Sequence, residues 1–287
     1  MNMNIDTHVH LWQYNAHDYS WIDDTMPALR RNWLPQDLHP LLSRNGINAC
    51  IAVQARTKVE ETQFLLQLAE QSPWIAGVIG WLDLKSSSFD KQFCEYLSDP
   101  KFLGVRHVIQ GEFDVAAYVA EPAVNSAVAT VQAHKKIYEV LVKGEQLAAV
   151  TEFCARHDRH WLVLDHLGKP MIWNSDLSGW RKRCGTLPDM QHVVVKVSGM
   201  VTEAIQTLPY INDGNLRNLI RPFLDTALEL FGAERLMYGS DWPVCLLATS
   251  YDEVIGIIKE WLASLSSTER GAIMGGNAQR VYQLQLI

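Results

Sequence analysis

Two histidines, His8 and His10, stand two residues apart in an apolar segment near the amino terminus, shortly after Asp6. Alternate residues of a β-strand point to the same face, about 6.6 Å apart along the backbone. Imidazoles at that spacing can share one metal ion. An H-x-H pair also occurs by chance in proteins that bind no metal. Its place at the carboxyl end of a predicted strand favours the metal-binding interpretation.

Polar and titratable side chains also end five later apolar segments. They are Arg106, His107 and Gln110; Glu139; Asp165, His166 and Lys169; Lys196 and Ser198; and Ser240 and Asp241. Each has a structural explanation by itself: Asp241 could cap a helix, and Arg106 could pair with Glu139 or Asp241. A buried, unpaired carboxylate is costly, so Glu139 either faces the active-site end or pairs with a cation, and we favour the first. Their concentration at one end of six strands favours a catalytic site.

Eight short apolar segments rich in β-branched residues must position these side chains. They span residues 4–9, 49–54, 75–81, 104–109, 137–142, 161–165, 192–197 and 236–239. Between them lie segments with helical periodicity, such as 59–71, 146–156 and 215–231, the last ending before Gly232. Apolar strands separated by helices indicate a parallel sheet covered on both faces. The sequence therefore predicts an α/β fold, a single (β/α)8 TIM barrel domain over residues 1–287.

An open, doubly wound sheet is the competing architecture. Its usual glycine-rich turn after the first strand is missing, because that strand ends in Asp-Thr-His-Val-His with no G-x-G-x-x-G. Two stretches without clear periodicity, residues 12–38 and 171–188, follow strand ends. In a barrel those positions are loops over the active-site face.

Composition limits the function classes. The chain has 287 residues, of which 48% are apolar and 20% charged, as in an ordinary globular protein. Its net charge of −7 disfavours nucleic acid and anionic membranes as partners. Five cysteines without a C-x-x-C pair read as reduced thiols, and no signal peptide or long apolar segment is evident, so we expect a cytoplasmic protein.

Six motifs in order along the chain resemble those of the amidohydrolase superfamily. They are Ile5-Asp6-Thr7-His8-Val9-His10-Leu11-Trp12, Gly77-Val78-Ile79-Gly80-Trp81-Leu82-Asp83-Leu84, Gly104-Val105-Arg106-His107, Asp165-His166-Leu167-Gly168-Lys169-Pro170, Lys196-Val197-Ser198-Gly199 and Gly239-Ser240-Asp241-Trp242-Pro243-Val244. The resemblance covers essentially the whole chain. Within the superfamily it is nearest to the small barrel lactonases, which include sugar-lactone hydrolases and 2-pyrone-4,6-dicarboxylate hydrolase.

The resemblance implies a catalytic centre and its ligands. The catalytic residues would be His8, His10, His166 and Asp241. Metal ligands would be drawn from His8, His10, Glu139, His166 and Asp241. Strand four has no lysine for the carbamate bridge of two-metal members, so one divalent ion, zinc by preference, or none is expected. Arg106 would recognise an anionic or hydroxyl-rich part of the substrate.

The expected reaction is hydrolysis of a lactone by an activated water, with Asp241 as general base. We favour a neutral aldonolactone of the L-fucono or L-rhamnono type, because besides Arg106 only Lys169 and Lys196 are available as cations for a dicarboxylate, against Glu139 and Asp241. Trp12, Trp81 and Trp242 would offer apolar faces, and Glu139 would accept hydroxyl hydrogen bonds. Alternatives are a metal-free dicarboxylate lactone hydrolase, a decarboxylase or lactone isomerase on the same scaffold, and a non-catalytic binding barrel. Homo-oligomerisation stays open.

Overall fold

The computed structural model describes residues 3–205 and 213–284, without the side chains of 213–215. Eight strands form one sheet in chain order, each parallel to its neighbours. They are β1 Ile5–Val9, β2 Ala49–Val53, β3 Ile75–Gly80, β4 Phe102–His107, β5 Ile137–Val140, β6 Leu162–Leu164, β7 Val193–Val197 and β8 Leu236–Tyr238. The predicted (β/α)8 barrel is confirmed.

The first and last strands meet at their carboxyl ends. Val9 and Trp242 form a parallel bridge, and the His10 amide donates to the Trp242 carbonyl at 2.7 Å. The Asp241 amide in turn donates to the His8 carbonyl at 2.9 Å. These bonds nearly close the barrel at the place where the polar strand ends converge.

Helices separate the strands. Within the described residues they are α1 Pro35–Asn45, α2 Val59–Gln71, α3 Phe89–Tyr96, α4 Val115–Ala120, α5 Pro122–Ala133, α6 Leu147–Arg156, α7 Leu177–Cys184, α8 Met200–Ala204, α9 Asp213–Phe231, α10 Tyr251–Leu262, α11 Ser267–Gly271 and α12 Asn277–Val281. The three helices predicted from periodicity are present, and Gly232 takes a positive φ of 72° after α9. Two predicted loops are partly helical, since α1 and α7 occupy the later parts of 12–38 and 171–188. In the described part of the chain, no helix combines the length and apolarity needed to cross a membrane.

The barrel interior is apolar toward the amino ends of the strands. Ile5, Ile51 and Val194 belong to this inner cluster, which Val281 and Tyr282 from the α12 region close from below. A larger apolar cluster lies between the outer face of the sheet and the helices. Burial on both faces explains why the strands are nearly continuous apolar runs. Polar side chains are therefore concentrated at the carboxyl ends.

Candidate active site

A cavity of about 1140 Å³ opens at the carboxyl ends of the strands. Its wall includes Trp81 and five other predicted catalytic or binding residues: His10, Arg106, His166, Lys169 and Asp241. These residues come from β1, β4, β6 and β8 or from the loops that follow them. The structure thus brings together side chains that lie up to 231 residues apart in sequence, His10 and Asp241.

An irregularity in β1 aims His8 into the barrel. The pairing of β1 with β2 shifts register between Asp6 and Val9. As a result Ile5 packs in the inner apolar cluster and His8, three residues later, also points inward among polar groups. A regular strand would place residues three apart on opposite faces. Such irregularities often re-aim side chains beside active sites.

Hydrogen bonds define which nitrogens of His8 and His10 carry lone pairs. His10 Nδ1 donates to the Val53 carbonyl at 2.8 Å, so in the neutral ring Nε2 is the acceptor atom, 3.3 Å from Asp241 Oδ1. His8 Nε2 lies 3.2 Å from the Arg106 guanidinium, which can only donate, and 3.8 Å from the same Asp241 oxygen. Two imidazole lone pairs and a carboxylate oxygen therefore face one another.

His166 completes the centre from the end of β6. Its backbone takes a φ of 56°, in the left-handed region, as does Asp241 with a φ of 60°. Non-glycine residues adopt this conformation seldom, and such strain is frequent at functional sites. His166 Nδ1 makes a 2.8 Å hydrogen bond with Ser198 Oγ. A Cβ on Gly199 would lie 2.6 Å from that nitrogen, so glycine is required there both for space and for its φ of +66°.

Burial controls the charge states of this centre. Burial and then the Lys196 ammonium hold the pKa of His8 well below its usual value. Burial does the same to the pKa of His166. Burial would raise the pKa of Asp241, but interactions with His166 and His10 outweigh it, and the pKa lies below its usual value. At neutral pH the site presents neutral His8 and His166 rings beside an ionised carboxylate.

Beneath the cavity a layer of buried charges supports His8. Arg106 donates to Asp165 Oδ2 at 3.0 Å, while Asp165 Oδ1 lies 3.4 Å from His8 Nδ1. Lys196 donates to both oxygens of Glu139 at 2.7 Å and lies 3.4 Å from Asp165. Lys196 Nζ also lies 3.1 Å from His8 Nδ1. Two cations and two carboxylates thus balance one another.

The donor set fits one divalent cation. His8, His166 and Asp241 each place a ligand atom within 4.8 Å of the others. Their neutral imidazoles and ionised carboxylate are the states in which these groups bind metals. A second set, His8, Glu139 and Asp165, meets the same distance limit. Because Lys196 already contacts both of its carboxylates, this second set suits an ammonium group rather than a metal ion.

Besides the fully buried His8, which packs against His10 and His166 beneath the wall, three predicted site residues lie away from the cavity wall. Glu139 is fully buried and bound by Lys196 and by the Tyr282 hydroxyl at 2.6 Å, as in the cation-pairing alternative. Trp12 is fully buried in an aromatic cluster with Tyr19. Trp242 is also fully buried. None of these three side chains reaches the cavity wall, where it could bind substrate. Glu139 is also not a member of the donor set formed by His8, His166 and Asp241.

Several residues of the site had no assigned role in the sequence interpretation. Asp165 and Lys196 stand in the sequence only among the polar strand ends and in the motifs, and the charged residues inside apolar strands, Glu139 and Lys196, are the signal of a buried charge layer. Gln54 accepts from Arg106 through its carbonyl and side-chain oxygens. Tyr282 stands 143 residues from Glu139, and no local pattern indicates that contact.

Comparisons with known proteins agree with this geometry. A family model described as amidohydrolase matches residues 5–284. An L-fucono-1,5-lactonase of Burkholderia multivorans is 46% identical over 288 residues, covering 98% of this chain and 96% of the relative. An L-fucono-1,5-lactonase of Burkholderia ambifaria is 33% identical, covering 99% of this chain and 97% of the relative. The crystal structure of an amidohydrolase from Burkholderia multivorans with bound zinc superposes with a TM-score of 0.94 at 46% identity, covering 98% of this chain and 99% of that one.

The family match extends from β1 to beyond α12 and includes every residue of the His8, His10, His166 and Asp241 centre. The family match therefore includes all the strand ends that form the cavity. This chain belongs to the amidohydrolase family.

Proposed function

We propose that this protein hydrolyses the ring ester of a neutral sugar lactone, of which L-fucono-1,5-lactone is the representative. The observation that carries the proposal is the convergence of three imidazoles and Asp241 at one end of the barrel, with His10, His166 and Asp241 on the cavity wall. Two relatives named for this lactonase activity match nearly the whole chain and support the choice of substrate. The five unpaired cysteines support a cytoplasmic location.

We propose zinc as the cofactor, held by His8, His166 and Asp241, with His10 beside Asp241. A bound divalent ion supplies Lewis-acid polarisation of the lactone carbonyl and acidifies water. The zinc-containing structure of the 46%-identical relative supports this choice of metal. Asp165 lies beside His8 Nδ1 and favours the hydrogen on that nitrogen, and zinc would take the Nε2 lone pair in place of the contact with Arg106.

Asp241 is the general base in this mechanism. Its lowered pKa keeps the carboxylate ionised at neutral pH, so that it can take a proton from the attacking water. Asp241 Oδ1 faces the imidazoles, which leaves Oδ2 for that proton. The protonated Asp241 then returns the proton to the ring oxygen as the acyl–oxygen bond breaks. Arg106, on the cavity wall, places a positive charge near the developing oxyanion.

The charges of the cavity wall favour a neutral substrate. Its acidic members are Asp18, Asp83, Glu112, Glu203 and Asp241, and its basic members are Arg56, Lys85, Arg106 and Lys169. A dicarboxylate would favour a wall with excess positive charge, whereas this wall has none. Carboxylate side chains accept hydrogen bonds from hydroxyl groups. A polyhydroxylated lactone therefore suits the cavity better than a dicarboxylate lactone.

The proposal is tested by comparing reaction classes on zinc-loaded protein. Acid release from L-fucono-1,5-lactone, L-rhamnono-lactone and 2-pyrone-4,6-dicarboxylate is followed with a pH indicator, and carbon dioxide release is followed with dihydroxybenzoates. We expect hydrolysis of the neutral sugar lactones far above the spontaneous rate. Decarboxylation without lactone hydrolysis would refute the proposal, and a preference for the dicarboxylate would refute the substrate assignment.

A further inference from the structure

We propose that Trp81, His107 and Glu112 form a subsite that binds the ring hydroxyls of the lactone, with Glu112 as the acceptor. The proposal rests on the function proposed above and adds the part of the protein that selects the sugar. All three residues line the cavity: Trp81 directly follows β3, His107 is the last residue of β4, and Glu112 lies in the loop after β4. None of them belongs to the catalytic centre.

Hydrogen bonds fix the orientation of this group. The Trp81 indole N–H donates to His107 Nδ1 at 3.2 Å, so that nitrogen is the acceptor. His107 Nε2 therefore carries the hydrogen and donates to Glu112 Oε1 at 2.7 Å. The imidazole also stacks on Tyr118, with ring centroids 4.7 Å apart and planes 15° apart. The Glu112 carboxylate is thus held by a ring that Trp81 and Tyr118 fix in place.

The group keeps acceptor capacity for a ligand. The His107 side chain is only 13% exposed, whereas Glu112 is 28% exposed. An ionised carboxylate has two oxygens and about four acceptor positions, and His107 uses one of them. The indole nitrogen of Trp81 is already bonded to His107, so its ring carbons are the part that suits the apolar face of a sugar. Burial lowers the pKa of His107, which agrees with a neutral ring.

Two other carboxylates of the wall, Asp18 and Glu203, are paired with cations. Asp18 forms an ion pair with Arg56 at 2.6 Å and a second with Lys58. Glu203 lies 3.7 Å from Lys169. Glu112 instead contacts a neutral imidazole, so its negative charge remains available to hydroxyl donors. Hydrogen bonds to a charged acceptor are stronger than those between neutral groups.

The position of Asp241 places the sugar on the side of the cavity that Trp81, His107 and Glu112 line. In a nearly closed barrel of eight strands in chain order, β4 lies opposite β8. Asp241 lies three residues beyond the end of β8, so water activated there reaches the carbonyl from that side. The rest of the lactone ring then extends away from Asp241, toward the loops after β3 and β4.

The test combines Glu112→Gln with lactones that each lack one ring hydroxyl. Gln keeps an oxygen for the His107 bond and replaces the other acceptor with a donor. Glu121→Gln is the matched control, because it removes an exposed negative charge from the segment between β4 and β5, outside the cavity wall, and the Glu121 side chain makes no capping hydrogen bond. Hydrolysis is measured as kcat/KM on zinc-loaded protein. Affinity is measured separately by calorimetry with the non-hydrolysable 1,5-lactam of L-fuconic acid and its deoxy analogues.

We expect Glu112→Gln to weaken lactam binding and to lower kcat/KM about 10- to 100-fold on the parent compounds. The analogue that lacks the hydroxyl bound by Glu112 should show the same values with wild type and variant. Glu121→Gln should change all compounds alike, by less than about threefold. An equal loss on every analogue with Glu112→Gln, or no loss, would overturn the subsite. Discrimination among lactams without lactone hydrolysis would instead refute the proposed function and leave the subsite standing.

Discussion

The buried ion pair between Lys196 and Glu139 yields a sharp prediction about stability. Both side chains are 0% exposed, and the ammonium donates to both carboxylate oxygens at 2.7 Å. Lys196→Met removes the cation and leaves Glu139 uncompensated in the barrel interior. Breaking one partner of a buried pair costs about 3–5 kcal/mol. Since native proteins are stable by about 5–15 kcal/mol, the variant should lose a large part of its stability.

The matched repair is the double variant Lys196→Met with Glu139→Leu. Replacing both charges by apolar groups of similar size is often neutral, so most of the loss should be recovered. The Tyr282 hydroxyl loses its acceptor at 2.6 Å in this variant, which leaves a residual cost of about 1–3 kcal/mol. The double-mutant cycle should therefore give a coupling energy of at least about 2 kcal/mol.

Urea unfolding followed by circular dichroism measures these free energies. Chelator is present throughout, so that bound metal does not contribute to stability. A cost below about 1 kcal/mol for Lys196→Met would refute the assignment of a tight buried pair, because that is the range of exposed ion pairs. A double variant no more stable than the single variant would refute the coupling of the two charges.

Three further predictions concern other parts of the barrel. Asp6 accepts from the Ser240 amide at 2.9 Å and the Tyr251 hydroxyl at 3.0 Å, so Asp6→Ala should lower the unfolding free energy by about 2–4 kcal/mol in urea titrations, and Asp6→Asn by less than half as much. Equal losses of unfolding free energy in Asp6→Ala and Asp6→Asn would contradict this prediction. Zinc at about 100 times its dissociation constant should stabilise metal-free protein by about 2.7 kcal/mol and restore lactonase activity lost to chelation; an unchanged melting temperature would argue against the site. Burial lowers the pKa of His157 to about 4 while its ring bonds to Asn125, so unfolding free energy should fall as pH drops from 6.5 toward 4. His157→Gln should flatten that part of the pH profile, and an unchanged slope would contradict the assignment.

The strands could be predicted because their chemistry is local. Burial on both faces makes each strand an apolar run, and every predicted strand lies within two residues of the observed bounds. The shared face of His8 and His10 also follows from spacing, and their ring centroids lie 4.9 Å apart. The inward direction of both Ile5 and His8 does not follow, because it depends on the register shift in β1.

The position of charges within the barrel could not be predicted from local sequence. Glu139 lies within β5, and from that position its side chain could face either the cavity or the charged layer below it. Its distance from the strand end does not distinguish these two directions. The deciding partners, Lys196 and Tyr282, are 57 and 143 residues away in sequence. Pairing with these residues makes burial of the carboxylate tolerable, and it draws Glu139 away from the cavity wall.

The tryptophans show a similar limit. Trp12 and Trp242 stand beside catalytic motifs, but proximity along a chain does not specify side-chain direction. Trp12 donates to the Arg31 carbonyl within the segment after β1. Trp242 packs edge-on against Trp33. Trp81, by contrast, reaches the cavity wall, where its indole nitrogen is bonded to His107.

The rate of L-fucono-1,5-lactone hydrolysis by wild type and Asp241→Asn tests the central claim most directly. Zinc content is determined in both proteins, and acid release is measured at pH 7 against the spontaneous reaction. The account predicts rapid hydrolysis by the wild type and a loss of about 10²- to 10⁴-fold in kcat for Asp241→Asn, the range for removal of a general base. A zinc-loaded wild type no faster than buffer, or an Asp241→Asn variant as active as wild type, would contradict it.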